Sequence, residues 1–172
     1  VPSAFNYNRR SEGRAAVVRA LSSALENENP EVRLSVARDM LVLVDECELA
    51  AAKTLFEASQ RPELEDIIVR LKIATVVVTT LSKNAHDDVD ALVYLTAFIK
   101  NVAGPVEGLP CALCDLMRKA KDDRLLVQVT AALRNVCRHT SQLRQLESSR
   151  CVSILMTVLD RALGSSHWEI VF

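Results

Sequence analysis

The sequence is poor in the residues that make tight turns. Four glycines and five prolines among 172 residues are too few punctuators for the many short strands and hairpins of an all-β fold. Aromatic residues make up only 4%, with a single tryptophan. The interior therefore has to be filled by aliphatic side chains, a composition that suits helices packed closely on helices. Neither sign of charge is in excess. The 21 Lys and Arg against 22 Asp and Glu leave a net charge of −1, which gives no global pull towards nucleic acid or an anionic membrane. A long apolar run is also missing. The best candidate, Ile67 to Leu81, is interrupted by Arg70 and Lys72 and is shorter than the roughly 20 residues a spanning helix requires. The opening stretch from Val1 to Arg10 has no apolar core of a secretory leader,. Five cysteines form an odd set without framework spacing, which favours a reducing compartment such as the cytoplasm.

What the chain does have is an internal repeat. Residues 88–103 align without gaps on 122–137, an offset of 34 residues, with Leu92/Leu126, Val93/Val127, Thr96/Thr130, Ala97/Ala131, Asn101/Asn135 and Val102/Val136 identical. A period in this range is the signature of stacked helical arrays. Such arrays expose long surfaces and do not enclose a reaction centre. At 49% hydrophobic, the chain can bury a substantial core.

Helix punctuation follows the same logic. Asn29-Pro30-Glu31 combines a side-chain acceptor, a preset φ at the first helical position and a charge that matches the helix dipole,. Ser166-His167-Trp168-Glu169 reads as a capping box,, and the acid pairs Asp87/Asp88 and Asp122/Asp123 stand where N-caps are needed. Apolar stripes at helical spacing, such as Leu34, Ala37, Leu41 and Val44, or Leu92, Leu95, Ile99 and Val102, lie between these marks,. The spacing predicts helices near 12–27, 30–45, 47–58, 63–82, 87–103, 110–120, 122–139, 141–147, 149–163 and from 167 onward. The β-branched run from Ile73 to Thr80 has strand propensity,. It is assigned to a helix because its neighbours are helical and a lone strand has no edge to pair with. With no initiator Met and an unfinished helix at the close, the chain is expected to be a piece of a longer array.

Candidate chemistry is sparse. Cys111 and Cys114 form a CxxC after Pro110, and Cys137 with His139 could complete a zinc set, but 22 residues separate Cys114 from Cys137, unlike any compact zinc module. Small core thiols are the ordinary role. His86 and His167 sit beside helix starts, and adjacent acids at a helix start diverge and do not converge on a substrate,. Gly104-Pro105-Val106-Glu107-Gly108 lacks the lysine of a phosphate loop,. No nucleophile and base can be paired, so neither an enzyme nor a cofactor or metal site is expected. One charge asymmetry stands out. Between Arg118 and Arg150 eight bases face three acids, a local +5.

From His139 onward the sequence resembles an armadillo repeat. Thr140 to Glu147 serves as a short first helix, a break follows at Ser148-Ser149, Arg150 to Leu159 forms the second helix, and Ser166-His167-Trp168-Glu169 opens the third. Ile99-Lys100-Asn101-Val102 and Leu133-Arg134-Asn135-Val136 are similar to the end of the family's third helix. The likeness is strongest over residues 85–172 and extends to related repeats of the HEAT type. The run from Lys100 to Gly108 is similar to armadillo proteins of cilia and flagella. The resemblance implies an all-α, right-handed α-solenoid. Residues 12–172 would form one array, in repeats of about 12–45, 47–103, 104–139 and a truncated 140–172, with 1–11 as an N-terminal extension. In peptide-carrying members, third-helix Asn residues bond an extended ligand and a Trp one turn earlier clasps basic side chains. Asn101 and Asn135 match the Asn, but Ala97 and Ala131 stand in the Trp positions, which removes the cation–π wall. The implied site is Lys100, Asn101, Arg134, Asn135 and Arg138. It would take a protein partner with an acidic or extended segment within a larger assembly, in the cytoplasm and specifically the cilium or axoneme. An alternative is a nucleic-acid-binding solenoid that uses the basic stretch 118–150. That interval contains no Phe, Tyr or Trp on which a base could stack,.

Overall fold

The computed structural model describes residues 23–45, 49–83, 88–102 and 106–165. Of the helix expected over 12–27, residues 12–22 lie outside the described residues, and the described part is helical at 23–24 and turns at 25–26, earlier than expected; the segment from 167 onward, His86, Asp87 and His167 also lie outside the described residues. Every regular element described is a helix: α1 (Pro30–Asp45), α2 (Leu49–Ala58), a 3-10 turn (Pro62–Leu64), α3 (Glu65–Arg70), α4 (Ile73–Lys83), α5 (Val89–Val102), α6 (Leu109–Lys119), α7 (Asp123–Val136), α8 (Thr140–Ser148) and α9 (Cys151–Ser165). No described helix is long and apolar enough to cross a membrane.

The 34-residue repeat is reproduced in the bounds, caps and buried register of α5 and α7. Both helices have 14 residues, and their bounds differ by the sequence offset itself. Asp88 caps α5 by accepting from Asp90 N (2.9 Å) and Ala91 N (3.3 Å). Asp122 caps α7 in the same way, from Arg124 N (2.9 Å) and Leu125 N (3.3 Å). Thr96 and Thr130 each return their hydroxyl to the carbonyl four residues back, Leu92 O and Leu126 O. The same register is buried in both helices: Ala91/Leu125, Leu92/Leu126, Leu95/Val129, Phe98/Ala132 and Ile99/Leu133. Asn29 caps α1 through its bond from Glu31 N.

Helices pack on alternate neighbours. α5 lies between α2 and α7, while α4 packs on α1 and α6, and α6 on α9. One row is thus α2–α5–α7 and the other α1–α4–α6–α9, with α3 and α8 as short helices against the second row. The continuous core runs from Val44 to Val158 and is almost wholly aliphatic, as the lack of aromatics demands.

The β-branched run is helical, as assigned, in α4. Its polar members do not interrupt the helix because Thr79, Thr80 and Ser82 donate to Thr75 O, Val76 O and Val78 O within it,. The single helix expected over 63–82 is corrected to a 3-10 turn and two helices. Lys72 takes φ 51° and stops α3 before α4 begins. The same left-handed residue recurs before α6 at Gly108 (φ 76°) and before α9 at Arg150 (φ 55°). Only one of the three is glycine, so sequence punctuation could reveal only that one.

Candidate functional site

The expected site residues gather at the C-terminal ends of α5 and α7. Asn135 on α7 is half-buried, and its Nδ2 donates to the backbone carbonyl of Lys100 on α5 (2.9 Å). Asn101 on α5 repeats the gesture one helix earlier. Its Nδ2 donates to Ser59 Oγ (3.0 Å), and Ser59 in turn donates to Phe56 O at the end of α2 (2.6 Å). The last carbonyls of a helix have no intrahelical donor. Each Asn therefore satisfies an orphan acceptor of the preceding helix in its row, directly or through Ser59. Lys100 Nζ donates to Gln128 Oε1 on α7 (3.1 Å), which adds a third tie across the row.

The Asn135 amide stitches α7 to α5, so its loss costs about 1 kcal/mol of stability. Arg134 and Arg138 are exposed, and neither side chain has an ion-pair partner within the described residues. With Lys100 they place positive charge where the helix dipoles are negative. The structure thus brings Lys100, Asn101 and Asn135 into one bonded ladder and leaves Arg134 and Arg138 beside it. Ser59 and Gln128 belong to the ladder and were invisible in sequence, because nothing in a lone Ser or Gln indicates a cross-helix partner.

A cleft of about 480 Å³ opens beside Asn101, between the end of α2, α3, the start of α4 and Val106. Near it, the buried Gln142 on α8 donates Nε2 to Val106 O (2.9 Å).

The basic stretch is divided by ion pairing. Arg118 pairs with Asp115 at 2.6 Å. Arg124 bridges from α7 to Asp90 on α5 (2.9 Å) and to Asp122 (3.1 Å). The Arg124 guanidinium holds the Asp122 carboxyl below its usual range, which reinforces its role as a cap.

Four of the five cysteines, Cys111, Cys114, Cys137 and Cys151, lie among the described residues. Among the described residues no three His, Cys, Asp or Glu side chains come together as metal ligands. Cys114 is buried. Its hydrogen bond with Cys151, and then burial, push its thiol up from the ordinary value, away from nucleophilic character. Cys111 is exposed, with Sγ 3.1 Å from Ser149 Oγ. Alkylation of the native protein at pH 8 is therefore expected to modify Cys111 at least tenfold faster than Cys114 or Cys151, read by peptide mass spectrometry. Equal rates would show that α6 and α9 are not packed together.

No family model matches the chain, and neither a curated protein nor a solved structure does.

Proposed function

We propose that the chain is a segment of a right-handed, armadillo-like α-solenoid that acts as a non-catalytic scaffold for protein–protein contacts. The observation that carries this reading is the alternate-helix packing in two rows, with a left-handed residue before α4, α6 and α9 and an Asn ladder along α2, α5 and α7. In such a fold each unit contacts only its neighbours, and the ladder ties one unit to the next. What is left for a partner is the exposed end of the ladder. There Arg134 and Arg138 supply charge, and the Asn101 and Asn135 Oδ1 atoms, whose amide nitrogens are already engaged, remain as acceptors. This favours an acidic, extended protein segment within a larger assembly. On the resemblance of 100–108, that assembly belongs to the cilium or axoneme.

Arg134→Glu combined with Arg138→Glu tests the reading without touching the ladder. The probe is a fluorescent Glu-rich dodecapeptide, supplemented by crosslinks mapped on the protein in its native extract. Peptide affinity is expected to fall at least tenfold, with far-UV circular dichroism unchanged and loss of the crosslinks at α5 and α7. Undiminished peptide binding and crosslinking would refute the site. If instead single-stranded RNA bound with an affinity that fell steeply with salt, the nucleic-acid alternative would replace it.

A further inference from the structure

Two buried thiols meet where α6 packs on α9. Cys114 lies in the second turn of α6 with no exposed surface, and Cys151 opens α9 at 6% exposure. Both belong to the continuous core, both are free, and their side chains are hydrogen-bonded to each other. The two elements also touch one turn earlier in α6, where Cys111 Sγ lies 3.1 Å from Ser149 Oγ. The preceding joint of the row makes the same contact with aliphatic residues. Counted from the left-handed residues Lys72, Gly108 and Arg150, Cys114 is equivalent to Val78 of α4, and Cys151 to Leu109 of α6. Val78 indeed lies at the start of α6, with Cγ1 3.9 Å from where a Cβ on Gly108 would stand. At the α6–α9 joint both members of the contact have become cysteine.

The two thiols hold their protons unequally. The hydrogen bond with Cys151, and then burial, push the Cys114 thiol above its ordinary value. The same hydrogen bond holds Cys151 below its ordinary value, against the opposing effect of burial. Cys151 also stands at the positive end of the α9 dipole,, which favours a thiolate. Cys151 is therefore the nucleophile of the pair, and Cys114 the proton donor beside it.

We propose that Cys114 and Cys151 are a modification site for hydrogen peroxide, closing a reversible disulfide that staples α6 to α9. The Cys151 thiolate attacks one peroxide oxygen and the O–O bond breaks. This leaves Cys151 sulfenic acid and a hydroxide, which takes up the proton lost by Cys151 and becomes water. The Cys114 sulfur then attacks the sulfenic sulfur, the S–O bond breaks, and the Cys114 proton leaves with that hydroxide as a second water. Two thiols and one peroxide thus give one disulfide and two waters. A dithiol reductant reverses the reaction by exchange and is itself oxidised to a disulfide. Geometry disfavours the other obvious pairing, within the CxxC of α6. Residues three apart on a helix hold their Cβ atoms about 5–6 Å apart, beyond the roughly 3.5–4.5 Å that a disulfide spans. The loop closed between Cys114 and Cys151 contains α7 and α8 whole, so the crosslink constrains the unfolded chain as well as the joint.

Treatment of the reduced full chain with hydrogen peroxide, followed by peptide mass spectrometry without reduction, tests this. The expected product joins the Cys114 peptide to the Cys151 peptide, and dithiothreitol returns both to free thiols. The melting temperature should rise by about 5 °C or more on crosslinking. Cys111→Ser with Cys137→Ser, both at exposed positions, is expected to leave the crosslink and the shift unchanged. Cys114→Ser should abolish the crosslink and leave Cys151 carrying one or two added oxygens, whereas Cys151→Ser should abolish it and leave Cys114 unoxidised. In the unsubstituted chain, a crosslink through any other cysteine, the absence of an intramolecular crosslink, or a melting temperature that does not rise overturns the proposal.

Discussion

Phe98→Ala is expected to destabilise the protein by about 3–5 kcal/mol, far more than a substitution on the surface would. Phe98 lies at the middle of the α2–α5–α7 row and is fully buried. The residue 34 positions later in α7 is Ala132, also fully buried. The two helices therefore share a register but fill it differently, with a ring in one and a methyl in the other. Removing the ring opens a cavity bounded by helices that are held on both flanks. The Asn101 bond to Ser59 and the Asn135 bond to Lys100 O fix the spacing of the row, which limits collapse into the space. The transfer and cavity penalties then add. The melting temperature should fall by roughly 10 °C for a domain of this size, followed by circular dichroism at 222 nm. Val152→Ala, at an exposed position, should change stability by no more than about 0.5 kcal/mol. A loss below about 1 kcal/mol for Phe98→Ala would mean that α5 does not sit between α2 and α7.

The second large effect comes from the backbone, and its sign differs among equivalent positions. Gly108→Ala is expected to cost about 1–2 kcal/mol, because φ 76° places an L-residue in the left-handed region,. Space is not the cause. A Cβ there would meet Val78 Cγ1 at 3.9 Å, an ordinary contact. At Lys72 and Arg150 the chain already bears that strain with non-glycine residues. Lys72→Gly and Arg150→Gly should therefore stabilise by about 0.5–1 kcal/mol, since relief of strain exceeds the added entropy of the unfolded chain. Urea unfolding of the three variants gives the test. If all three substitutions destabilised alike, the three positions would not share one backbone role.

The apolar spacing and the caps were enough to place most helices. Asp88 and Asp122 act as the caps that the acid pairs suggested, and Pro30 begins α1 behind the Asn29 cap. The break at Lys72 was not legible, because lysine carries no turn signal. Its left-handed φ is set by the packing of α3 and α4 on the rest of the row, and local preference would not choose it. Matching Asn101 with Asn135 picked out two equivalent positions, and in the structure Asn135 bonds α5 while Asn101 bonds Ser59, the residue that follows α2. Their partners, Ser59 and the Lys100 carbonyl, lie 42 and 35 residues away, beyond the reach of any local pattern.

Sequence by itself determined that the described residues are helical, where most of their helices start, and which face of most is apolar. These properties follow from periodicity, capping and the scarcity of glycine, proline and aromatics, all of which act within a few residues. Tertiary structure decided which helices become neighbours, and therefore which polar atoms are used up and which surfaces stay open. That is why equivalent positions are buried in α4 (Val77, Val78) and α6 (Leu113, Cys114) but exposed in α9 (Leu155, Met156): burial depends on the neighbour that packs against a helix, and the residues of the helix do not encode that neighbour.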